Sequence, residues 1–412
     1  VGYDALQANT TGTENVAIGG YCLDANSTGA NNTALGMSAL GANTTGSRNT
    51  AIGRIALLDA TTADDNTAVG YGAAESLTTG GENTAVGKAA LATATTLSQT
   101  TAIGFKAGYV VTGSDNVFVG HEAGMDATTT NSCVVVGHRA GTNITTSPRN
   151  VAVGRHTLNT LSTGSGYNVC VGGWAGYSMT SGSSNILMGD EAGYSITDAA
   201  KNTCIGHDSG YNLTTGSNNL LLGHDSGRST APSGTLAAHS NNVCLGDDDI
   251  ANLYCADTSI SSSDVRDKTD IERFNHGLSW INKLSPVTYR WDKRSWYAKD
   301  LSVTPDGSKK RNQLHIGFLA QEHLEVEKEH GFGDGKENML VTDLTEDGNR
   351  YGMKYERLVP VLVNAIKELS AKVEELESNS GGTTSSSSSS AVAELKSLIK
   401  GSKSFAALKT EL

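Results

Sequence analysis

Between residues 15 and 246 the chain alternates outward-type and inward-type side chains in short bursts, each opened by a polar residue and closed by glycine. The bursts Asn-Val-Ala-Ile-Gly, Asn-Thr-Ala-Leu-Gly, Asn-Thr-Ala-Ile-Gly and Asn-Thr-Ala-Val-Gly begin at Asn15, Asn32, Asn49, Asn66 and Asn83, and a degenerate copy begins at Thr100. Further copies start at Asn116, Cys133, Asn150, Asn168, Asn185, Asn202 and Asn219 in steps of 16 to 18 residues, and the last starts at Asn242 after a step of 23. Period two inside each burst predicts a short strand, with Ala or Cys on one face and Thr, Val, Ile or Leu on the other. Both faces are small or apolar, so the strand is expected to be covered on both, one face inside a coil and the other against a neighbouring chain. A second pair such as Ala39-Leu40 or Ala90-Leu91 follows each glycine and predicts a second strand or corner, and Thr-Thr-Gly or Thr-Gly-Ser supplies turn chemistry for the rest.

Fourteen copies at a spacing near 17 residues imply a one-dimensional stack rather than globules, with each rung leaning on its neighbours. With 48 glycines and an aromatic content of 6%, no rung buries enough apolar surface to stand alone. At about 4.8 Å per rung the stack measures on the order of 65 Å. Val1-Gly2 matches the end of a core one period upstream, so the chain is expected to begin inside a longer parent.

Composition narrows the function. A formal charge of −12 argues against nucleic acid, whose phosphates require clustered Lys and Arg. No run of 18 apolar residues signals a membrane span. Of the six cysteines, Cys170, Cys204 and Cys244 replace the core Ala, a packing position, and none forms a Cys-x-x-Cys pair; buried free thiols are expected, in a reducing compartment. His121, His138, His207 and His224 follow core glycines, but Arg155, Lys88, Asp190 and Met37 share that column, so polar corners rather than metal ligands are expected. Tyr109, Tyr177, Tyr194 and Tyr211 align five residues after the glycine, which predicts rung-to-rung stacking. No cofactor or metal is expected.

The cores resemble the head repeats of trimeric autotransporter adhesins, which implies a mainly β fold: a trimeric parallel β-roll or β-solenoid over residues 1–250. Beyond Cys255 the repeat stops, charge density rises, and Trp280, Trp291 and Trp296 appear. Ser263-Asp264-Val265-Arg266-Asp267-Lys268, then Ile281 to Trp291, His315-Ile316-Gly317-Phe318-Leu319-Ala320-Gln321-Glu322, Tyr355 and Leu358 follow in order. This order resembles the endosialidase-type C-terminal intramolecular chaperone, an α+β self-cleaving domain of phage tailspikes and tail fibres, over about residues 261–378. The resemblance implies a Ser263–Lys268 dyad that cuts between Ser262 and Ser263, with Asp264 and Arg266 as orienting residues. A lysine can serve as base for a serine hydroxyl only when desolvation lowers its affinity for a proton. Gly317, Gln321 and Glu322 are read as fold or trimer contacts.

Val359, Leu362, Ile366, Leu369, Val373 and Leu376 recur in four- and three-residue steps, the seam of a coiled coil that suits a homotrimer. Residues 251–262 form the connector, 263–378 the chaperone, 379–390 a Gly/Ser/Thr tether and 391–412 an amphipathic helix.

The sequence therefore points to a bacteriophage tail fibre, a virion appendage assembled in the host cytoplasm. Its expected partners are two further copies of itself, other tail proteins, and a host surface receptor, a glycan or outer-membrane component. A bacterial trimeric adhesin would need an outer-membrane anchor pattern, and a glycan-degrading tailspike would need paired carboxylates in a cleft. The adjacent acids Asp64-Asp65 and Asp247-Asp248-Asp249 read instead as solvated turns. A membrane-bound animal transcription factor sharing this chaperone would need a DNA-binding module and a transmembrane helix, and neither pattern is present.

Overall fold

The computed structural model describes residues 1–164, 166–250, 263, 265–298, 301–345 and 347–379. Two compact units divide the chain: Val1–Tyr254 with Lys293–Lys309, and Cys255–Asp292 with Lys310–Leu412. Residues 293–309, expected within the chaperone, thus group with the repeats, where Lys293 Nζ donates to the Asp248 carbonyl at 2.8 Å and Ser295 donates to the Asp248 carboxylate.

The first unit is a parallel β-solenoid. Fourteen three-residue strands, β1 (Val16–Ile18) to β14 (Val243–Leu245), pair in chain order into one sheet. Each strand sits in register with the next, as Val16 with Thr33 and Ala17 with Ala34, so identical positions stack into columns. The central residue of every strand points inward and is buried; the outer positions are half-buried or exposed, with Val16 at 49%, Leu35 at 45% and Ile205 at 40%. An apolar row therefore runs along the outside of the sheet.

Of the second strand or corner expected after each core glycine, the described residues show the corner. After each core glycine the chain makes turns in which non-glycine residues adopt left-handed backbone, Ser38 at φ 57° and Leu40 at φ 51° in one rung. The turn lets the next peptide groups bond to the adjacent rung, as Leu40 N–H donates to the Ala56 carbonyl at 3.0 Å. The core glycines have a separate cause. Gly87 has φ +132°, and a Cβ there would lie 2.4 Å from the Gly104 carbonyl oxygen of the following rung.

The Asn that opens each core is the main polar fastener of the interior. Asn66 Oδ1 accepts the Asn83 backbone N–H at 3.0 Å and Asn83 Nδ2 at 2.9 Å, while Asn66 Nδ2 donates to Asn49 Oδ1 at 3.1 Å and to the Gly80 carbonyl at 3.0 Å. A shorter ladder joins Asn9, Asn26 and Asn43, then ends where Ala60 follows, leaving the Asn43 Oδ1 without a donor. Val1 and Gly2 occupy their expected place, with the Val1 carbonyl accepting Gly19 N–H at 2.8 Å.

In the second unit, β15 (Val287–Tyr289) pairs antiparallel with β16 (His315–Gly317), and β17 (Thr342–Leu344) with β18 (Tyr351–Met353). Helices α1 (Leu278–Ile281), α2 (Ala320–Glu329) and α3 (Leu358–Asn379) enclose a core of Trp280, Val326 and Val361 with Phe274, Leu284 and Phe332 against it. Gly277 brings α1 close to α3, because a Cβ there would meet the Ala365 nitrogen at 2.5 Å. Glu368 on α3 accepts the Leu278 N–H at 2.8 Å and caps α1.

Candidate functional site

The described part of the second unit opens on Ser263. Val265–Asp267 make a 3-10 turn whose last bond runs from Lys268 N–H to the Val265 carbonyl at 3.3 Å. That turn folds Lys268 back over Ser263, and Lys268 Nζ stands 2.7 Å from Ser263 Oγ. An ammonium donates in this pair; as a base, a neutral amine would accept across the same distance. Both side chains are exposed in the single chain, so the desolvation that a lysine base requires has to come from another surface. Arg266 lies exposed in the same turn, while Ser262 and Asp264 fall outside the described residues.

On α3 two stripes separate. Leu358, Val361 and Ala365 pack inward, each below 9% exposed. Val359, Leu362, Ile366, Leu369 and Leu376 of the expected seam are 40 to 67% exposed; Val373 alone of that set is buried. The tether and terminal helix expected over 379–412 lie outside the described residues except Asn379, which ends α3. Gly317 is a fold contact as expected: a Cβ would lie 2.5 Å from Tyr355 Oη, and that oxygen accepts Phe318 N–H at 3.1 Å. Gln321 and Glu322 are exposed in the first turn of α2.

A buried network escaped the sequence reading. Glu327, fully buried on α2, accepts the backbone N–H groups of Leu340, Val341 and Thr342 at 2.9, 2.9 and 2.6 Å, and its Oε1 lies 3.2 Å from His323 Nδ1. Trp280 Nε1 donates to His323 Nε2 at 3.4 Å, which leaves Nδ1 as the protonated nitrogen facing Glu327. Burial pushes the Glu327 carboxyl up, but His323 and the three amides outweigh it and hold the carboxyl down at about 2. The only sequence signal is a His and a Glu four apart on one helix. The network anchors the loop before β17 and reaches no solvent.

The shaft columns behave as packing. Tyr177, Tyr194 and Tyr211 stack at 5.2 and 5.1 Å; Tyr109 instead lies under the Lys106 ammonium at 5.1 Å. His121 stacks on His138 and His207 on His224. Among the described residues no three His, Cys, Asp or Glu side chains converge as a metal site. Cys22, Cys133, Cys170, Cys204 and Cys244 are buried free thiols, and burial pushes Cys204 up to about 12. The acids of the turns are engaged structurally: Asp65 pairs with Arg48 Nε at 2.6 Å, and Asp64 accepts Ser47 N–H at 2.6 Å.

Residues 263–332 match the family described as chaperone of endosialidase. The match starts on Ser263 and stops short of the helix α3, although the likeness was expected to run to 378. No curated protein and no solved structure matches the chain.

Proposed function

We propose that the chain is a segment of a bacteriophage tail fibre, a homotrimer whose C-terminal intramolecular chaperone aligns three shafts and then cuts itself free between Ser262 and Ser263. The observation that carries this reading is a chaperone match beginning at the serine whose hydroxyl the Lys268 amine reaches, placed after a repetitive shaft.

In the proposed reaction Lys268 Nζ, neutral once covered, takes the proton from Ser263 Oγ as that oxygen attacks the Ser262 carbonyl carbon. The Ser262–Ser263 C–N bond breaks, the proton passes to the departing Ser263 amine, and the resulting ester is hydrolysed by water. Exposure of the dyad in one chain supports coupling to assembly, because a neighbouring protomer would supply the missing burial. The exposed row of strand residues, the outward stripe of α3 and Ile316, 78% exposed, support a surface meant for association. Glycan cleavage gains no support from the acids, which are tied into rung-to-rung bonds.

Denaturing gel electrophoresis tests the reading. The parent chain should give pieces of about 262 and 150 residues, which together make the 412, while Ser263→Ala and Lys268→Ala should each give one intact chain. An intact parent under assembling conditions refutes self-cleavage.

A further inference from the structure

The residue after each core glycine and its next neighbour form one edge of the shaft. Over eight rungs, about 34 Å at strand spacing, this edge interleaves cations with aromatic rings. Tyr71 has Arg54 and Lys88 at 5.8 and 5.9 Å from its centroid. Phe105 has Lys88 and Lys106 at 5.9 and 5.6 Å and is followed by His121 at 5.0 Å, which stacks on His138 at 5.3 Å. The series closes with the Arg155 guanidinium 3.8 Å from the Trp174 ring centroid.

The charge on this edge opposes that of the whole chain, which is −12. Arg54, Lys88, Lys106, Arg139 and Arg155 share it with one carboxylate, Glu122, which Arg139 binds at 2.6 Å; Glu75 stands one corner away. Beyond Trp174 the same columns turn acidic with Asp190, Glu191, Asp208 and Asp225, so the positive field is confined to the middle of the shaft. The rings stack on one another or lie beside cations, and the exposed Arg54, Lys88 and Arg155 offer side-chain N–H groups. Five cations against one carboxylate favour anions over neutral sugars.

We propose that this edge binds an extended acidic polysaccharide, laid along the shaft with its carboxylates against the cations. The cations fall on the rungs of Arg54, Lys88, Lys106, Arg139 and Arg155, at intervals of one or two rungs, so an extended polyanion lying along the edge meets several of them in succession. This inference rests on the reading of the shaft as a host-contacting fibre and supplies its ligand class.

Isothermal titration of the full chain with polygalacturonate, with dextran as neutral control, tests it. Binding to polygalacturonate that weakens with added salt, and none to dextran, is expected. Lys88→Gln with Arg155→Gln should weaken binding about tenfold or more, whereas Arg48→Gln with Lys201→Gln, exposed charges in other columns, should change it less than about twofold. Absence of binding, equal binding to dextran, an unaffected Lys88/Arg155 variant, or equal and equally sensitive binding to single-stranded DNA would each overturn the assignment. Sedimentation and gel analysis of the same samples separate the two claims. Trimeric, cleaved protein that ignores the polymer defeats this inference alone; monomeric, uncleaved protein defeats the fibre reading while the titration still reports on the strip.

Discussion

Single side chains decide much of the stability. Most members of the Asn column satisfy two donors of the following rung, as Asn49 does for Asn66; Thr100, in place of Asn, holds only the next backbone N–H, at 3.4 Å, and Cys133 accepts it through sulfur. Recurrence made the column visible in the sequence, but its role was hidden, since only stacked rungs reveal that one amide serves its neighbour. Glu327 was hidden more deeply, because its partners Trp280, through His323, and Thr342 are remote in sequence. It makes a pH prediction with a definite sign. Its folded carboxyl sits near 2 against an ordinary 4.5, so both folded and unfolded chains are ionised above about pH 4.5 and the full stabilisation is present there. As pH falls from 4.5 toward 2 the unfolded chain binds a proton that the folded carboxylate refuses, and on the order of 3 kcal/mol is lost. Denaturant titrations of the C-terminal unit between pH 2 and 6, followed by Trp fluorescence, should show that loss, and Glu327→Gln should flatten it.

At the level of the strand and its following corner, two buried columns exchange volume. Where the strand centre is Ala34 or Ala51, the corner is Leu40 or Leu57; where the centre is Phe118, Leu187 or Leu221, the corner is Gly124, Gly193 or Gly227. A Cβ on Gly124 would lie 2.2 Å from the Phe118 ring, and one on Gly193 lies 2.8 Å from Leu187 Cδ2. Leu187→Ala should cost about 3 kcal/mol through the cavity it leaves. Gly193→Leu alone should overpack the rung, and the double variant should recover much of both losses, since Leu40 and Leu57 hold φ near 50° in the same corner. Thermal melts of the three variants check the cycle, and strict additivity would contradict it. The strands themselves were legible from period-two alternation. After the glycine the sequence left strand and corner open, because left-handed turns made by ordinary residues carry no local signature beyond their recurrence, and the structure has the corner. On α3 the seam was legible for the same reason that it is exposed: its heptad steps have no intrachain core to explain them. Leu362→Asp with Ile366→Asp should therefore abolish both association and cleavage on a gel while leaving helical circular dichroism nearly unchanged.

For the proposed homotrimer the difficulty would be register. Every rung pairs with the next through the same strand geometry, so a slip of one period between chains loses little. A chaperone that associates first would fix the starting register and raise the local concentration of shafts. Self-cleavage would then remove the template and leave a fibre that unfolds slowly. Sedimentation equilibrium of the Ser263→Ala chain tests the homotrimer on which this depends, without the complication of cutting. The predicted mass is three times the chain mass of 42.8 kDa; a folded species sedimenting at 42.8 kDa with an intact shaft would contradict it.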